Sequence, residues 1–451
     1  MKKVVIINSP LYEEKNSINN EDYLPPLGLG IIYSSIENKF DVVFIDSLVE
    51  NLDVSDLIIY LNEPNIDFVC INIFTTNYIL VKKIVEKSSK NIHWIIGGIS
   101  TKSLYKEIFN WKAESIIDIV YGDGEKIVND IIDSSVKEEP KDINVKRRFY
   151  IVDSKSCYYN NQISNEKIDR SIFKLEPEIN FFKDQEICIY TSRGCPYNCA
   201  YCVAAHSRNI ELGIPRHKKP ERIINELKEI KELYPSVNTI RIVDDLFLSN
   251  KQSFIDAFQI FSNFDFNWRA MCHIKSISNI NDNSLISNLL ISGCKELFIG
   301  IESGSSNILK EIHKTYAISV IKESIIRILD IGISVKGYFI CGFPNEKIKD
   351  LDRTYDLASY LTDYAIDKKL HFRNSTFQFR PYFGTELYDS IVKKNNLANS
   401  SILYNTCISD KINFNIRNKS FNFDSGNYSS VNDDILHSYL KKMNDLNDRT
   451  A

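Results

Sequence analysis

The stretch Thr191–Cys202, TSRGCPYNCAYC, decides how the rest of the chain is interpreted, because it places three cysteines in one short segment. Cys195, Cys199 and Cys202 have the spacing C-x3-C-x2-C, and Tyr201 is an aromatic residue directly before the last cysteine. Three thiolates at this spacing can hold three irons of a cubane iron–sulfur cluster, which leaves the fourth iron open to a small molecule. A cluster that only carries electrons is normally closed by four cysteines, so an open iron indicates chemistry.

A disulfide and a zinc site are the alternatives for this loop. A disulfide would leave one sulfur over, and ten cysteines spread thinly through a chain that begins with the strand-like run Met1–Ile7 are typical of a reduced, cytoplasmic protein. Zinc could take His206 as a fourth ligand. Structural zinc usually joins two separated ligand pairs, whereas these three cysteines share one loop. We therefore predict a [4Fe-4S] cluster on the three cysteines and a cytoplasmic location.

Length, composition and charge bound the class of protein. The chain has 451 residues, of which 43% are hydrophobic and 25% charged, so it is long enough for two or three globular domains. No apolar stretch approaches the length of a membrane span, and no membrane association is expected. The net charge of −4 argues against a nucleic-acid partner bound through its phosphates.

Apolar runs that alternate with helical patterns predict a first domain over residues 1–135. The predicted strands are Val4–Ile7, Val42–Ile45, Phe68–Ile73, Trp94–Ile96 and Ile117–Val120. Strands separated by helices predict an α/β fold with a doubly wound parallel sheet, in which ligands bind at the carboxyl ends of the strands. The residues after these strands are small, polar or glycine. They would let a large ligand approach the backbone, although loops of this kind favour such residues in any case.

A second series of strand and helix patterns covers residues 186–390, after a charged segment, 136–185, that is predicted to be a linker with short extended pieces at Phe149–Asp153 and Cys157–Asn160. Six strands are predicted in the second series: Ile187–Thr191, Thr239–Val243, Asn267–Met271, Glu296–Ile301, Ser334–Ile340 and Thr376–Phe379. Six such units make about three quarters of an eight-fold barrel. The sequence therefore predicts a partial (β/α)6 TIM barrel, with the cysteine loop at the carboxyl end of its first strand. Residues 391–451 are predicted to form a small, mostly helical region.

These motifs resemble the radical S-adenosylmethionine superfamily, in particular the branch that carries a cobalamin (B12)-binding domain. Besides the cysteine loop, four barrel segments resemble superfamily motifs: Ile242–Phe247, Phe298–Ser305, Gly337–Pro344 and Arg380–Leu387. In the N-terminal domain, Leu24–Gly30 and Gly122–Glu125 resemble the B12-binding domain, which implies a B12-binding-like Rossmann fold. The D-x-H-x-x-G motif that supplies a cobalt-ligating histidine in other members is absent. His93, the only histidine in residues 1–135, is expected to be structural.

The resemblance implies an enzyme in which a [4Fe-4S] cluster binds S-adenosylmethionine, whose one-electron cleavage gives a 5′-deoxyadenosyl radical. It implies a small-molecule or peptide substrate and a one-electron donor such as flavodoxin or ferredoxin. A cobalamin-dependent methyltransferase acting on a small-molecule or natural-product intermediate is the activity expected first. A cobalamin-independent radical dehydratase, rearrangement, epimerisation or cyclisation enzyme is the alternative, because the cobalt-ligating histidine is missing. A tRNA methylthiotransferase is disfavoured, since Cys70 is the only cysteine before the predicted linker and cannot hold a second cluster.

The resemblance also implies cofactor-binding residues near the ends of the barrel strands. Asp244 and Asp245 are expected to accept hydrogen bonds from the methionine amine, with helix capping as the alternative. Arg269 would pair with the methionine carboxylate, and Glu302 with the ribose or the methionine group. For each of these two, a structural ion pair is the alternative. The remaining predicted cofactor-binding residues are Tyr201, Gly337, Gly342 and Pro344.

Overall fold

The structure, a computed structural model, describes residues 1–11, 23–160, 163, 167–396 and 426–449. The chain divides into two compact units, which are described separately. The first unit comprises Met1–Glu176, Tyr201–Ile214 and Pro381–Ile412, and the second comprises Pro177–Ala200, Pro215–Arg380 and Asn413–Ala451. The domain boundaries expected from the sequence stay a prediction. Over the described ranges, no helix combines the length and the apolar character needed to cross a membrane.

The first unit is built on a seven-stranded sheet. Its strands are β1 (Lys3–Asn8), β2 (Asp41–Asp46), β3 (Phe68–Asn72), β4 (His93–Gly97), β5 (Ile116–Gly122), β6 (Asp142–Asn144) and β7 (Arg147–Val152). Their order across the sheet is β2-β1-β3-β4-β5-β7-β6, and only β6 and β7 pair antiparallel. The five strands predicted for the first domain are confirmed, because their apolar runs are buried in this sheet. The order reverses between β1 and β3, which is where ligands bind in doubly wound sheets.

In the described ranges, five helices connect the first five strands to one another and to the β6–β7 hairpin. They are α1 (Leu27–Ile36), α2 (Val54–Leu61), α3 (Tyr78–Lys87), α4 (Thr101–Phe109) and α5 (Glu125–Asp133). The start of α2 shows why the chain turns helical at that point: the Asp53 carboxylate accepts hydrogen bonds from the backbone N–H groups of Ser55 and Asp56. This cap satisfies two of the donors that a helix start leaves unpaired.

Part of the predicted linker is a strand pair, so the prediction is wrong for that part. β6 and β7 extend the first sheet beyond β5. The charges that hid the strand pattern are satisfied inside the sheet: Arg148 forms an ion pair with buried Asp118 on β5, and Arg147 donates to backbone carbonyls. The predicted extended piece Phe149–Asp153 falls mostly in β7, whereas Cys157–Asn160 lies outside any strand.

The second unit contains a curled sheet in which six strands, β9 and β12 to β16, are parallel. The strands of this unit are β8 (Glu178–Ile179), β9 (Gln185–Ile189), β10 (Ser192–Arg193), β11 (Arg216–His217), β12 (Thr239–Ile242), β13 (Asn267–Cys272), β14 (Cys294–Glu302), β15 (Ser334–Cys341) and β16 (Phe372–Gln378). The order is β16-β15-β14-β13-β12-β9-β8, with β8 antiparallel to β9, while β10 and β11 form a separate pair. All six predicted barrel strands are confirmed, in chain order, as a half-barrel of parallel strands.

Nine further helices lie in the described part of the remaining chain. They are α6 (Pro220–Leu233), α7 (Lys251–Phe261), α8 (Ile274–Ser278), α9 (Asn283–Ile291), α10 (Ser306–Glu311), α11 (Ile318–Ile331), α12 (Ile348–Asp367), α13 (Glu386–Asn395) and α14 (Asp433–Asp445). In the predicted C-terminal helical region, residues 397–425 lie outside the described ranges. The last helix, α14, packs Leu436 and Leu440 against Cys341 and Leu351 of the second unit. Cys341 is therefore a buried core residue.

Two adjacent glycines at the end of β4 provide a matched stability test. Gly98 has φ of +123°, and an added Cβ would lie 2.9 Å from the backbone oxygen of Ile73, whereas a Cβ on Gly97 would meet nothing within 4 Å. We expect Gly98→Ala to destabilise the protein by about 1–3 kcal/mol, and Gly97→Ala by less than about 0.5 kcal/mol. Chemical unfolding of both variants measures the difference. Equal losses would contradict the assignment of strain to Gly98 alone.

Candidate active site

The three motif cysteines follow β9, and they differ in exposure from most other cysteines in the chain. Cys195, Cys199 and Cys202 are half-buried thiols outside any disulfide. Five others are buried: Cys70, Cys188, Cys272, Cys294 and Cys341. Buried cysteines usually act as small hydrophobes, whereas accessible thiols grouped in one loop are suited to bind metal.

The chemistry of this donor set fits an iron–sulfur cluster. Burial raises the pKa of the Cys195 thiol to about 11, so binding to iron would release a proton. In a cubane, each of the three thiolates binds a different iron, whereas a zinc site gathers its ligands on one ion. Within the ranges that the structure describes, no group of three or more His, Cys, Asp or Glu side chains is gathered around a position for one metal ion.

Asp244 fixes the backbone where the cysteine loop begins. Its Oδ1 accepts hydrogen bonds from the backbone N–H groups of Thr191 and Ser192, at 2.6 and 3.0 Å. Its Oδ2 accepts bonds from the hydroxyl groups of the same two residues, at 2.5 and 2.7 Å. Burial raises the pKa of Asp244 despite these four bonds. The carboxylate is 4% exposed, and its hydrogen bonds go to the protein, so the structure gives it a positioning role.

Asp245 differs from Asp244 in its solvent exposure and in the number of its hydrogen bonds. It is exposed, and one carboxylate oxygen accepts a hydrogen bond from the backbone N–H of Gly194 at 3.1 Å. Its other oxygen makes no hydrogen bond to the described residues. Of the two predicted acidic residues, Asp245 therefore has an oxygen available for a cationic amine, and Asp244 does not.

An aromatic stack supports the cysteine loop from the next strand. Tyr197 lies between the first two motif cysteines, and its ring stacks on His273, which follows β13, with centroids 3.8 Å apart. Burial, together with Lys314 and Lys275, lowers the pKa of His273 to about 3. The imidazole is therefore neutral at pH 7, and its Nδ1 accepts a hydrogen bond from the backbone N–H of Lys275 at 3.2 Å.

The segment 312–316, which follows α10, holds both the cysteine loop and the end of β14. The backbone carbonyl of Ile312 accepts a hydrogen bond from the N–H of Ala200, and the His313 ring donates to the carbonyl of Asn198 at 3.0 Å. Lys314 is 4% exposed and lies within electrostatic range of Cys195 and Cys199. No sequence motif indicated this segment, because its role depends on where the chain returns after α10.

Lys314 pairs with Glu302, the last residue of β14. The amine lies 2.8 Å from Glu302 Oε1 and donates to the carbonyl of Gly300 at 2.6 Å. Burial lowers the pKa of Lys314, but the Glu302 carboxylate raises it by more than burial lowers it. The pKa of the amine therefore lies above its usual value, and the amine stays charged. Glu302 has φ of +68°, a left-handed backbone conformation that is strained for glutamate. Glu302 thus forms the structural ion pair that was the alternative to a cofactor contact. It lies at the carboxyl end of its strand, as predicted.

The predicted position of Arg269 is wrong. It is the third of six residues in β13, away from the carboxyl end of the strand. Its guanidinium forms buried ion pairs with Glu186 at 2.8 Å and with Glu296 at 3.0 Å. The expectation placed Arg269 near the carboxyl end of its strand, although the predicted strand, Asn267–Met271, already ran beyond it, and β13 continues to Cys272.

The two predicted glycines, one within β15 and one directly after it, have different structural roles. A Cβ on Gly337, in the middle of the strand, would lie 2.7 Å from the ring of Phe372, so this glycine serves packing. Gly342 has φ of +95° and turns the chain just after the strand. The side chain of buried Glu346 accepts hydrogen bonds from the N–H groups of Gly342 and Phe343. Burial raises the pKa of Glu346 to about 8. Pro344 is half-buried in the same loop.

Residues 201–214 are held at the carboxyl edge of the first sheet, within the first unit. Lys102 of α4 donates to the carbonyl of Arg208 and pairs with Glu211, both at 2.6 Å. The Tyr121 hydroxyl, on β5, donates to Asn209 at 2.7 Å. Tyr201, at the start of this segment, is half-buried.

The rest of this carboxyl edge exposes glycine and apolar groups. Gly28 and Gly97 have open space where a side chain would stand, and Leu24 and Phe74 are 47% and 38% exposed. His93 lies at the opposite edge, as the first residue of β4, where its Nε2 is 2.8 Å from Asp118. The prediction that His93 is structural is confirmed, because it lies a whole strand away from the edge where ligands bind.

Comparison with known proteins agrees with this fold and site. Residues 189–358 match the family described as the radical SAM superfamily. An uncharacterised methyltransferase of Pyrococcus horikoshii is 27% identical over 390 residues, which cover 82% of this chain and 79% of that protein. The bacteriochlorophyllide d C-8(2)-methyltransferase of Chlorobaculum tepidum is 25% identical over 45% of this chain and 44% of its own length.

A solved structure shares the fold of most of the chain. The radical S-adenosylmethionine methyltransferase TsrM from Kitasatospora setae, with cobalamin and a [4Fe-4S] cluster bound, aligns with a TM-score of 0.58. The alignment covers 87% of this chain and 78% of TsrM at 15% identity, so it shows the fold. Residues 189–358, which hold most of the half-barrel and its three-cysteine loop, thus match the radical SAM superfamily. The chain as a whole has the fold of TsrM, a radical S-adenosylmethionine methyltransferase solved with cobalamin bound.

Alanine substitution of the two adjacent aspartates tests their different roles. Asp244→Ala leaves two backbone N–H groups and two hydroxyl groups buried without their acceptor, at about 1–3 kcal/mol for each unsatisfied group. We expect a lower unfolding temperature and less iron and sulfide per chain. Asp245→Ala is the matched control: it should keep the cluster content and weaken S-adenosylmethionine binding. Equal cluster content in the two variants would contradict the positioning role of Asp244.

Removal of Lys314 tests whether it compensates the charge of Glu302. Lys314→Met leaves a buried carboxylate without a counter-ion, which we expect to cost about 3–5 kcal/mol of stability. The double variant Lys314→Met/Glu302→Gln should recover part of this loss, because no unpaired charge remains. Exposed Lys310 on α10 provides the control, and Lys310→Met should change the free energy of unfolding by less than about 0.5 kcal/mol. No recovery in the double variant would contradict the pairing.

Proposed function

We propose that this protein is a cobalamin-dependent radical S-adenosylmethionine methyltransferase that acts on a small molecule. The observation that carries the proposal is the combination, in one chain, of a three-cysteine half-barrel with a doubly wound sheet whose carboxyl edge exposes glycine and apolar groups. Two methyltransferase-named relatives support methyl transfer. The shared fold of TsrM, which was solved with cobalamin and a cluster, supports the choice of cofactors.

The second unit and the cysteine loop provide the residues for the radical step. Cys195, Cys199 and Cys202 would hold the cluster, and the exposed oxygen of Asp245 would accept a hydrogen bond from the methionine amine. Lys314 keeps Glu302 fixed at the end of β14, so any contact from Glu302 to the methionine or ribose group is made from a rigid position. When bound, the cluster and S-adenosylmethionine supply a 5′-deoxyadenosyl radical, and cobalamin supplies a methyl carrier.

The carboxyl edge of the first sheet is suited to a large, mostly apolar ring. Gly28 and Gly97 let such a ring approach the backbone, and exposed Leu24 and Phe74 offer apolar contacts. His93 lies at the amino edge of this sheet, where it pairs with Asp118. It is the only histidine in residues 1–200. Cobalamin would therefore bind here without a histidine from this sheet on cobalt.

The substrate and the electron donor follow from the proposed reaction. A small-molecule substrate agrees with the chlorophyll-type substrate in the name of one relative. A one-electron reductant such as flavodoxin or ferredoxin is needed to start each radical step. Both features belong to the proposal.

Methyl transfer from labelled S-adenosylmethionine to cobalamin tests this function without a known substrate. Protein purified and reconstituted without oxygen is incubated with hydroxocobalamin, a chemical reductant and S-adenosylmethionine with a deuterated methyl group. We expect bound cobalamin, deuterated methyl on cobalamin with release of S-adenosylhomocysteine, and separate formation of 5′-deoxyadenosine.

A Cys199→Ala variant is the control for the two activities. It should lose 5′-deoxyadenosine formation, because its cluster lacks one ligand, and it should keep cobalamin uptake by the first unit. If the wild-type protein forms 5′-deoxyadenosine but takes up no cobalamin, methyl transfer is contradicted and the cobalamin-independent alternative is favoured. If neither product forms, the radical function itself is contradicted.

A further inference from the structure

Each of the six parallel strands of the second unit carries a charged residue. These residues are Glu186 on β9, Arg241 on β12, Arg269 on β13, Glu296 on β14, Lys336 on β15 and Arg373 on β16. Four are cations and two are carboxylates. Five of these residues lie in the amino half of their strands, and Arg241, the third of four residues in the short strand β12, is level with Arg269 in the register. This layer lies before the carboxyl ends of the strands, where the cysteine loop begins, and the radical step proposed above uses none of these six residues.

The ion pairs place this layer on one face of the curled sheet. Arg269 on β13 reaches Glu186 on β9, two strands away, at 2.8 Å. It also pairs with Glu296 on the neighbouring strand, and Arg373 on β16 reaches Glu296 across β15 at 2.7 Å. Side chains that meet across an intervening strand share a face of the sheet. In a curled half-barrel, the face on which they converge is the concave one.

The two carboxylates compensate only part of the positive charge. Burial raises the pKa of Glu296, but Arg373 and Arg269 lower it to about 2, so Glu296 is ionised, and both arginines donate hydrogen bonds to it. Glu186 is bonded to Arg269 and lies 4.0 Å from Arg241. Arg241 also stands directly opposite Arg269 in the strand register, and Lys336 stands opposite Arg373. Like charges directly opposite each other are unfavourable without a counter-ion.

Lys336 is the cation of this layer without a direct ion pair among the described residues, although Glu296 lies within electrostatic range. Among the described residues, its amine makes no hydrogen bond or ion pair, and the ring of Tyr338 lies 5.7 Å from it. Burial, together with Arg373 and Arg241, lowers the pKa of Lys336 to about 7. A second anionic group close to Lys336 and Arg241 would relieve this excess of positive charge.

The surroundings of Lys336 leave the carboxyl side as the direction of approach. Phe181 and Phe182, in the turn between β8 and β9, lie against the guanidinium groups of Arg373 and Arg269, at 4.2 and 5.8 Å. They therefore cover the amino side of the layer. One step towards the carboxyl end, Tyr338 and Ser375 are opposite each other in the register and share the face of Lys336. Their hydroxyl groups are hydrogen-bond donors for an anion.

We propose that Lys336 and Arg241 bind an anionic group of the substrate, a carboxylate or a phosphate, on the concave face of the second sheet. The proposal rests on the function proposed above and adds the substrate class. Lys336 lies five residues before Cys341, the last residue of β15, which corresponds to about 16 Å along the strand. The substrate is therefore elongated, with its anionic end towards Lys336 and its reacting carbon towards the carboxyl ends of the strands.

Anion binding to the intact, anaerobically reconstituted protein tests the proposal. The probes are inorganic phosphate and acetate, titrated separately by calorimetry at an ionic strength held constant with chloride. We expect saturable binding of at least one probe, weakened at least about tenfold in Lys336→Met, because a hydrogen bond to a charged group is lost. Lys336→Arg should restore most of the affinity. Lys228→Met, the same charge change at an exposed position of α6, should bind like the wild type.

The probes and variants separate the outcomes. Binding of phosphate alone indicates a phosphate group on the substrate, and binding of acetate alone indicates a carboxylate. Lys336→Met replaces a buried charge by an apolar chain of similar length and should stay folded, and Arg241→Gln is the second variant, with the same expected loss. Wild-type affinity in both variants, or no saturable binding to the wild type, would overturn the proposal. Cluster content and 5′-deoxyadenosine formation are measured on the same samples, so a failure of the radical function is seen independently of anion binding.

Discussion

Four hydrogen bonds to the buried carboxylate of Asp244 determine where the cysteine loop leaves the half-barrel. Three thiolates can share a cluster only if the backbone that carries them is fixed, and this loop has little regular structure of its own. The Asp244 anchor fixes its start, the stack of Tyr197 on His273 supports its middle, and the segment 312–316 holds the backbone after Asn198. The loop thus takes its shape from three neighbouring strand ends.

The same arrangement separates residues that position from residues that remain available to a ligand. Asp244 is saturated by the protein, whereas its neighbour Asp245 keeps an exposed oxygen. Glu302 is held by Lys314, and Arg269 belongs to an internal ion-pair layer, away from the carboxyl ends. Charged residues inside a half-barrel therefore act at two levels: those at the strand ends serve the cofactor loop, and those near the strand starts set the charge of the concave face.

Local patterns in the sequence were sufficient to predict the strands and the cysteine motif. A buried parallel strand and a closely spaced set of thiols can each be recognised from a short segment of sequence. The predicted linker failed because Arg147 and Arg148 gave β7 a charged appearance, and their partners lie on and beside β5. Lys314, Glu346 and Lys336 were missed for the same reason. Their roles depend on contacts between segments that are distant in the sequence. The spacing of residues along the chain therefore does not predict which charged side chain will lack a direct ion pair.

The central claim is that the cysteine loop holds a cluster with one iron open to S-adenosylmethionine. Electron paramagnetic resonance of the anaerobic, reduced protein tests it most directly. The account predicts the signal of a reduced [4Fe-4S] cluster that changes when S-adenosylmethionine is added, because the donor binds the open iron. A protein that holds zinc and no sulfide, or a cluster signal that S-adenosylmethionine leaves unchanged, would contradict the account.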